Sequence, residues 1–377
     1  MRAPDTTHGL DDLWHQLTGL SPATPGIDRD SIAGKRILLT GAGGSIGAAL
    51  ARSIAAADPA QLILLDANEH SLYQIDRELA SLPRPAHAQP VLGSVTDRAL
   101  LEDLFRRHQP EIVLHAAAFK HVPLMEQNPF AALTNNALGT YTLAQSAAHH
   151  GAERFVLVST DKAVAPHSLM GASKRIAELV VLCLGSSGAT RMSAVRLGNV
   201  LGSQGSVVPL FLEQIARGVP LTITDPEARR YFLTLGQAVA ALLGALAVPH
   251  VPGTILVPQV APPIRILDLA RHLLEQHVGH TLSGAITFTG LRPGDKLEES
   301  LLSPREQWLP EAHAGLRALS SPHPTAVELA DALRSLEEVV QQRDLAGALH
   351  VVQHLVPEYT PSSQLTQSLP HAEEARA

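Results

Sequence analysis

The chain has 377 residues, 45% hydrophobic and 17% charged, so it can bury a large core and does not have the composition of a disordered chain. Its 29 Lys and Arg against 36 Asp and Glu give a net charge of −7 with no basic block, which argues against a nucleic-acid partner. The single cysteine, Cys183, excludes an internal disulfide and a cysteine-rich zinc site, and no charged-then-apolar leader opens the sequence.

Residues 1–34 are mixed and read as an arm and linker, with SPATPG as the linker signal. From Lys35, short apolar runs alternate with helical stretches: RILLT, LILLD, QPVLGS, IVLHAAA, RFVLVST and SAVRLGNV. The spacing predicts helices after Ser45, Glu69 and Thr96, across 129–149, and from Gly171 to about Leu184. Near-continuous apolar strands separated by helices predict an α/β fold over 35–200, a Rossmann-type doubly wound parallel sheet. After Gly202, looser spacing and frequent proline predict a smaller substrate lobe over 201–305. Within it the longest apolar stretch, 238–248, is too short to span a bilayer and reads as a core helix. Residues 306–360 read as a C-terminal helical region with a helix pair over 325–355, and 361–377 as a flexible tail. The chain is therefore expected in the cytoplasm, with no membrane segment.

The first strand runs straight into Thr40-Gly41-Ala42-Gly43-Gly44-Ser45-Ile46-Gly47. Glycines in such a turn let the backbone approach a pyrophosphate, which rests on the positive end of the following helix. Asp66 ends the second strand, where a carboxylate accepts hydrogen bonds from the adenosine ribose and repels a 2′-phosphate. NAD is thus expected over NADP; Arg77, one helix on, would soften that preference and keeps NADP possible. Asn68, Ser94 and Val95, and the small residues Ala116, Ala117 and Ala118 at the fourth strand's end, complete the expected cofactor contacts.

At the end of the fifth strand stand Ser159-Thr160-Asp161-Lys162, and Met170 and Lys174 share one face of the next helix. Carboxyl ends of parallel strands are where such sheets bind ligands. The TGxxGxxG turn and the stretch Asn136-Ala137-Leu138-Gly139-Thr140 resemble the extended short-chain dehydrogenases/reductases, which usually carry YxxxK at the positions of Met170 and Lys174. Methionine carries no proton, which leaves two readings: a binding-only fold, or acid–base work by Asp161 and Lys162. No histidine spacing suggests a metal site, and none is proposed.

The stretches GKRILLTGAGGSIG, AAAFKHVPLMEQNP, VSTDKAVAPHSLMGASKR, VRLGNVLGSQGSVVPLF, RRYFLT, GLRPGDKLEE and LVPEYTP, in order over about 20–360, resemble the UDP-N-acetylglucosamine 4,6-dehydratases of polysaccharide biosynthesis. Methionine at the tyrosine position is similar to the long, membrane-anchored branch of that family, of which this chain resembles the catalytic portion alone.

The resemblance implies hydride transfer from sugar C4 to NAD, loss of water across C5 and C6, and hydride return to C6. In that reading Lys162 is the C5 base, Asp161 the acid for the leaving hydroxyl, Thr160 a partner of the C4 oxygen, and Lys174 the holder of the nicotinamide ribose. A lysine base must be uncharged, a condition that burial or nearby Lys120 would favour. Asp161 or a Lys174-linked water would take the 4-hydroxyl proton. Arg230 and Arg292 are expected on the diphosphate. Asn199, Val208, Pro209, Lys120, His121 and Glu126 are expected around the nucleotide sugar, and Arg196 as a structural anchor. The run after Asp295-Lys296-Leu297 lacks the family's usual tyrosine, and residues 259–263 lack its Asp-Met-Gly turn, so the sugar is less defined than the cofactor. A UDP-sugar 4-epimerase or oxidoreductase, and a non-catalytic NAD-binding protein, are the alternatives. A homo-oligomer is expected, formed through the region after 128 or the C-terminal helices.

Overall fold

The computed structural model describes residues 6–19, 29–83, 87–248, 254–278, 284–313 and 315–369. The SPATPG linker and the tail from 370 onward lie outside the described residues.

The expected strands form: β1 (Arg36–Thr40), β2 (Gln61–Asp66), β3 (Ala88–Leu92), β4 (Ile112–His115), β5 (Arg154–Thr160) and β6 (Arg191–Leu197). They pair in parallel in the order β3-β2-β1-β4-β5-β6, so the strand order reverses between β1 and β4. Successive residues point to opposite faces, as the pleat requires. Leu38, Ile63, Val113 and Phe155 enter one core, while Ile37, Leu39, Leu64 and Leu114 enter the other. Burial on both faces is why these strands read as unbroken apolar runs. Helices α1 (Thr6–Thr18), α2 (Ser45–Ala55), α3 (Glu69–Ala80) and α4 (Arg98–His108) come first along the chain; Asn68 and Asp97 cap the last two by accepting from Ser71 and Leu100 N–H.

Several expectations change. The arm is not a loose lead-in, because α1 buries Leu13 and Trp14 among Leu201, Val208, Phe211 and Phe232 in the lobe's core. The region after 306 is not wholly helical. Gln307–His313 and Leu316–Ser320 form an antiparallel hairpin that extends the main sheet beyond Thr254–Pro258. The expected helix pair follows at Ala326–Gln341 and Leu345–Leu355. It packs Leu333, Leu336, Leu349 and Val352 into the same core as Leu133, Ala137 and Leu143, so the two regions named for oligomer contacts pack on each other within one chain. The flexible tail is docked through Ser363–Gln367, where Leu365 is buried. The helix over 129–149 is interrupted by a π-helical segment, Leu133–Leu138. The sixth run breaks at Gly198, where a Cβ would lie 2.7 Å from the Tyr231 carbonyl oxygen. Beyond it Asn199–Val200 pairs with Phe232–Leu233 instead.

Candidate active site

The glycine turn is shaped by contact. Gly41 has φ +66°, and a Cβ on it would lie 2.6 Å from the Ala117 nitrogen; a Cβ on Gly47 would meet the Gly41 oxygen at 1.9 Å. No side chain caps α2 at Gly44, so the first amides of that helix, from Ser45, Ile46 and Gly47, are left as donors. Such a helix end, set at the reversal of strand order, fits a pyrophosphate. Asp66 is fixed at the end of β2 by accepting from Gly43 N–H and Asn68 N–H, both at 2.8 Å. Its fixed negative charge suits ribose hydroxyls and opposes a 2′-phosphate. Ser94 bonds Thr96 at 2.8 Å beside a cavity of about 1020 Å³ whose walls include Phe119, Asn135 and Arg343. None of Thr160, Asp161 or Lys162 lines that cavity. Val95 is buried, Ala116 and Ala117 are half-buried, and Ala118 is exposed.

Beneath the turn runs a polar chain that the sequence reading missed. Thr140 Oγ1 donates to the Asn136 carbonyl (2.6 Å), so it accepts from His115 Nε2 (2.9 Å). His115 Nδ1 then accepts from Thr40 Oγ1 at 2.7 Å. Burial, with Lys174's charge adding, holds His115 at a pKa of about 3, so it stays neutral. Asn136 spends its amide on Phe119 N–H and C=O and on Ser173 Oγ, fastening the fourth-strand loop to the helix Leu169–Ser187.

At the end of β5, Asp161 is fully buried. Its Oδ1 accepts from Thr160 Oγ1 (3.0 Å) and Lys162 Nζ (2.9 Å), and its Oδ2 has no partner among the described residues. Lys162 also donates to Asn199 Oδ1 at 2.9 Å. Met170 is 2% exposed and packs with Val122, Met125 and Ala132, so the tyrosine slot is filled by an apolar cluster. Met170, which stands at the catalytic tyrosine's position in the sequence, is here held by packing.

Lys174 is 5% exposed and ends without an ion pair among the described residues. Burial lowers its pKa to about 8, against the pull of Glu178. The folded protein thus disfavours the charged form, a penalty fully present below pH 8 and relieved as pH rises from about 8 toward the ordinary 10.5. Stability of the cofactor-free protein should rise over that window in denaturant melts, and Lys174→Met should remove that increment while raising stability at pH 7 by about 2–3 kcal/mol. A flat wild-type profile would refute the assignment.

The substrate-side residues divide. Lys120 Nζ donates to the Gln204 carbonyl (2.6 Å), and Gln204 N–H donates to Ser45 Oγ (3.0 Å), which joins the fourth-strand loop, the lobe and the glycine turn. Surrounding protein and Lys162's charge lower the Lys120 pKa. His121 abuts Gly205, and burial, Lys120 and Arg292 lower its pKa. Arg292 is exposed and paired with Asp295 at 2.7 Å. Three expectations are corrected. Glu126 offers no free carboxylate to a sugar: it is buried, accepts Leu169 N–H at 2.7 Å, and bonds the Ser362 hydroxyl. Burial raises its pKa. Arg230 presents no free fork, because it donates to the carbonyls of Arg229, Lys296 and Leu297 at 2.6–2.9 Å. Val208 is buried in the lobe core, with Pro209 half-buried after it. Tyr231 was also missed; burial, Glu298 and Asp161 raise its pKa, placing its phenol in the field of the Asp161 carboxylate.

Sheet order, the uncapped helix end and the carboxylate on β2 define a Rossmann-type fold whose first turn fits a dinucleotide. More closely, residues 37–319 match the family described as polysaccharide biosynthesis protein, and the chain belongs to that family. It is 39% identical over 348 residues to "Probable polysaccharide biosynthesis protein EpsC" of Bacillus subtilis (strain 168), covering 90% of this chain and 58% of that protein. Over 275 residues it is 32% identical to a UDP-N-acetylglucosamine 4,6-dehydratase (inverting) of Campylobacter jejuni subsp. jejuni, covering 72% of this chain and 78% of that one. Over 279 residues it is 34% identical to a UDP-glucose 4-epimerase of Rickettsia massiliae, covering 72% and 79%. The chain spans 58% and 46% of the length of its relatives EpsC and the capsular polysaccharide biosynthesis protein CapD of Staphylococcus aureus. Among solved structures, Pen from Bacillus thuringiensis superposes with a TM-score of 0.71 at 27% identity, over 78% of this chain and 92% of that one. Among the described residues no helix is long and apolar enough to cross a membrane, and no group of three or more His, Cys, Asp or Glu is placed to hold a metal ion.

Proposed function

We propose that this protein is an NAD-dependent nucleotide-sugar 4,6-dehydratase of the methionine branch, acting on UDP-N-acetylglucosamine or a related UDP-hexose for surface polysaccharide or glycan biosynthesis. The observation that carries this reading is the Thr160–Asp161–Lys162 cluster, in which a buried Asp161 with one unpartnered oxygen bonds its half-buried neighbours, together with a methionine where a tyrosine would stand. Bound NAD would accept hydride from C4 and return it to C6. The chain's own residues supply the rest. Thr160 orients the C4 oxygen. Asp161 takes the 4-hydroxyl proton as hydride leaves C4 and gives it to the departing 6-hydroxyl, while Lys162 in its uncharged form takes the C5 hydrogen and returns a proton to C5 when hydride goes back to C6. Lys174 holds the nicotinamide ribose, and Lys120 and Arg292 meet the sugar and the diphosphate.

A 4-epimerase is the second reading, favoured by the Rickettsia relative. Epimerisation exchanges hydride and a hydroxyl proton at C4 alone and leaves Lys162 without work, since nothing is removed from C5. The test is incubation with UDP-N-acetylglucosamine in deuterated water. The expected product is a 4-keto-6-deoxy sugar with solvent deuterium at C5. A C4 epimer without C5 label would overturn the dehydratase reading, and no turnover by the NAD-loaded protein would favour a binding role.

A further inference from the structure

The turn that carries Asp161 and Lys162 holds a strained residue. Ala165 has φ +37°, in the left-handed region that a side chain disfavours. Both neighbours are pinned from elsewhere in the chain. The Val164 carbonyl accepts from Lys296 Nζ at 2.6 Å, and the Pro166 carbonyl accepts from Thr360 N–H at 3.0 Å. The turn is also seated on the next helix, since a Cβ on Gly171 would fall 2.3 Å from the Lys162 carbonyl oxygen.

Lys296 is itself firmly placed. Its side chain is 12% exposed and pairs with Glu299 at 3.2 Å. Its own carbonyl accepts from Arg230 at 2.7 Å, and the Leu297 carbonyl accepts from Arg229 N–H and from Arg230, both at 2.9 Å. Gly294, φ +82°, packs against Ser168, the residue that caps the helix bearing Met170 and Lys174. The loop with exposed Arg292 is thus joined through Lys296 to the backbone two residues beyond Lys162.

We propose that Lys296 is a positioning residue, holding the strained 161–166 turn so that Lys162 and Asp161 keep their mutual geometry. The inference rests on the dehydratase reading for its kinetic readout but not for its structural one. Without the lysine, Ala165 relaxes toward negative φ and carries the Lys162 backbone with it.

The test compares Lys296→Met with Glu299→Gln, combined so that no buried carboxylate is orphaned, against the same pair with Ala165→Gly added. Glycine accepts positive φ, so it should hold the turn without the clamp. The Lys296/Glu299 variant should lose about 100-fold in kcat with little change in KM, since small misplacements of reacting groups cost that much. Amide hydrogen exchange over 161–168 should quicken. Adding Ala165→Gly should recover about tenfold in kcat and restore slow exchange. Unchanged exchange in the Lys296/Glu299 variant, or a loss of kcat that glycine at 165 does not recover, would overturn the proposal. If the wild-type protein makes no 4-keto-6-deoxy product, the dehydratase reading fails, and the exchange comparison alone decides on Lys296.

Discussion

In Lys162→Gln, formation of the 4-keto-6-deoxy sugar should fall by about 10³-fold or more, and solvent deuterium should stop entering C5. The argument is geometric. Lys162 and Asp161 share a direct hydrogen bond at 2.9 Å, at the carboxyl end of β5 where the sheet opens to ligand. The elimination must remove a proton from C5 and deliver one to the leaving oxygen on C6, on adjacent carbons. Two acid–base groups in contact meet that demand; the other lysine–carboxylate contacts at these strands, from Lys35 to Glu111 and Glu153, lie at the opposite, amino ends. Glutamine keeps a donor for Asp161 and Asn199 but cannot act as a base. Alanine would instead leave Asp161 buried with only the Thr160 hydroxyl, so its lost activity would be mixed with lost stability. Product mass and C5 label, read beside a melting curve, separate these effects. Full turnover in Lys162→Gln would remove the base assignment.

How much of this was legible in the sequence follows from where each residue finds its partners. β1 to β6 were legible because strands buried on both faces must be apolar throughout. The glycine turn was legible because close contact at Gly41 and Gly47 excludes any side chain, so spacing alone reports it. Asp161 and Lys162 stood out as charge at the end of an apolar strand. Glu126 and Arg230 were misread for one shared reason. Their partners, Ser362 for the first and the carbonyls of Lys296 and Leu297 for the second, lie far along the chain, and only the fold shows the charge already engaged. The hairpin before Ser320 was missed because it carries Pro310 and a register shift between Trp308 and Ala312, as suits a sheet edge, and lacks the apolar run of an inner strand. Trp14 gave no sign of its docking because an amphipathic helix states that it needs a partner without naming which one.

Arg196→Met should destabilise the protein by about 3–5 kcal/mol, the usual cost of breaking a buried ion pair from one side. Arg196 is fully buried on β6 and makes paired contacts with Glu178 (2.7–2.8 Å) and Glu306 (2.7 Å). Arg175 meets the same two carboxylates, at 3.0 and 3.4 Å, and Ser159, next to Thr160, donates to Glu178 at 2.7 Å. The cluster therefore binds β5, β6, the helix of Lys174 and the loop before the edge hairpin. Burial would raise the Glu178 pKa, but Arg196 and then Arg175 overcome it and hold it at about 2. The unfolded chain protonates this carboxyl near 4.5, so its share of stability is present above that pH and is lost as pH falls from about 4.5 to 2. Integrated over that span, the share is about 3 kcal/mol. Losing the arginine should flatten the acid limb as well as lower the midpoint in denaturant. Adding Glu306→Gln to Arg196→Met leaves Arg175 opposite Glu178 and the less buried Glu358 and should recover 1 kcal/mol or more, roughly the cost of one uncompensated buried charge. A single variant within about 1 kcal/mol of wild type, with its acid limb intact, would show that the arginine is not what holds these two carboxylates ionised in the core.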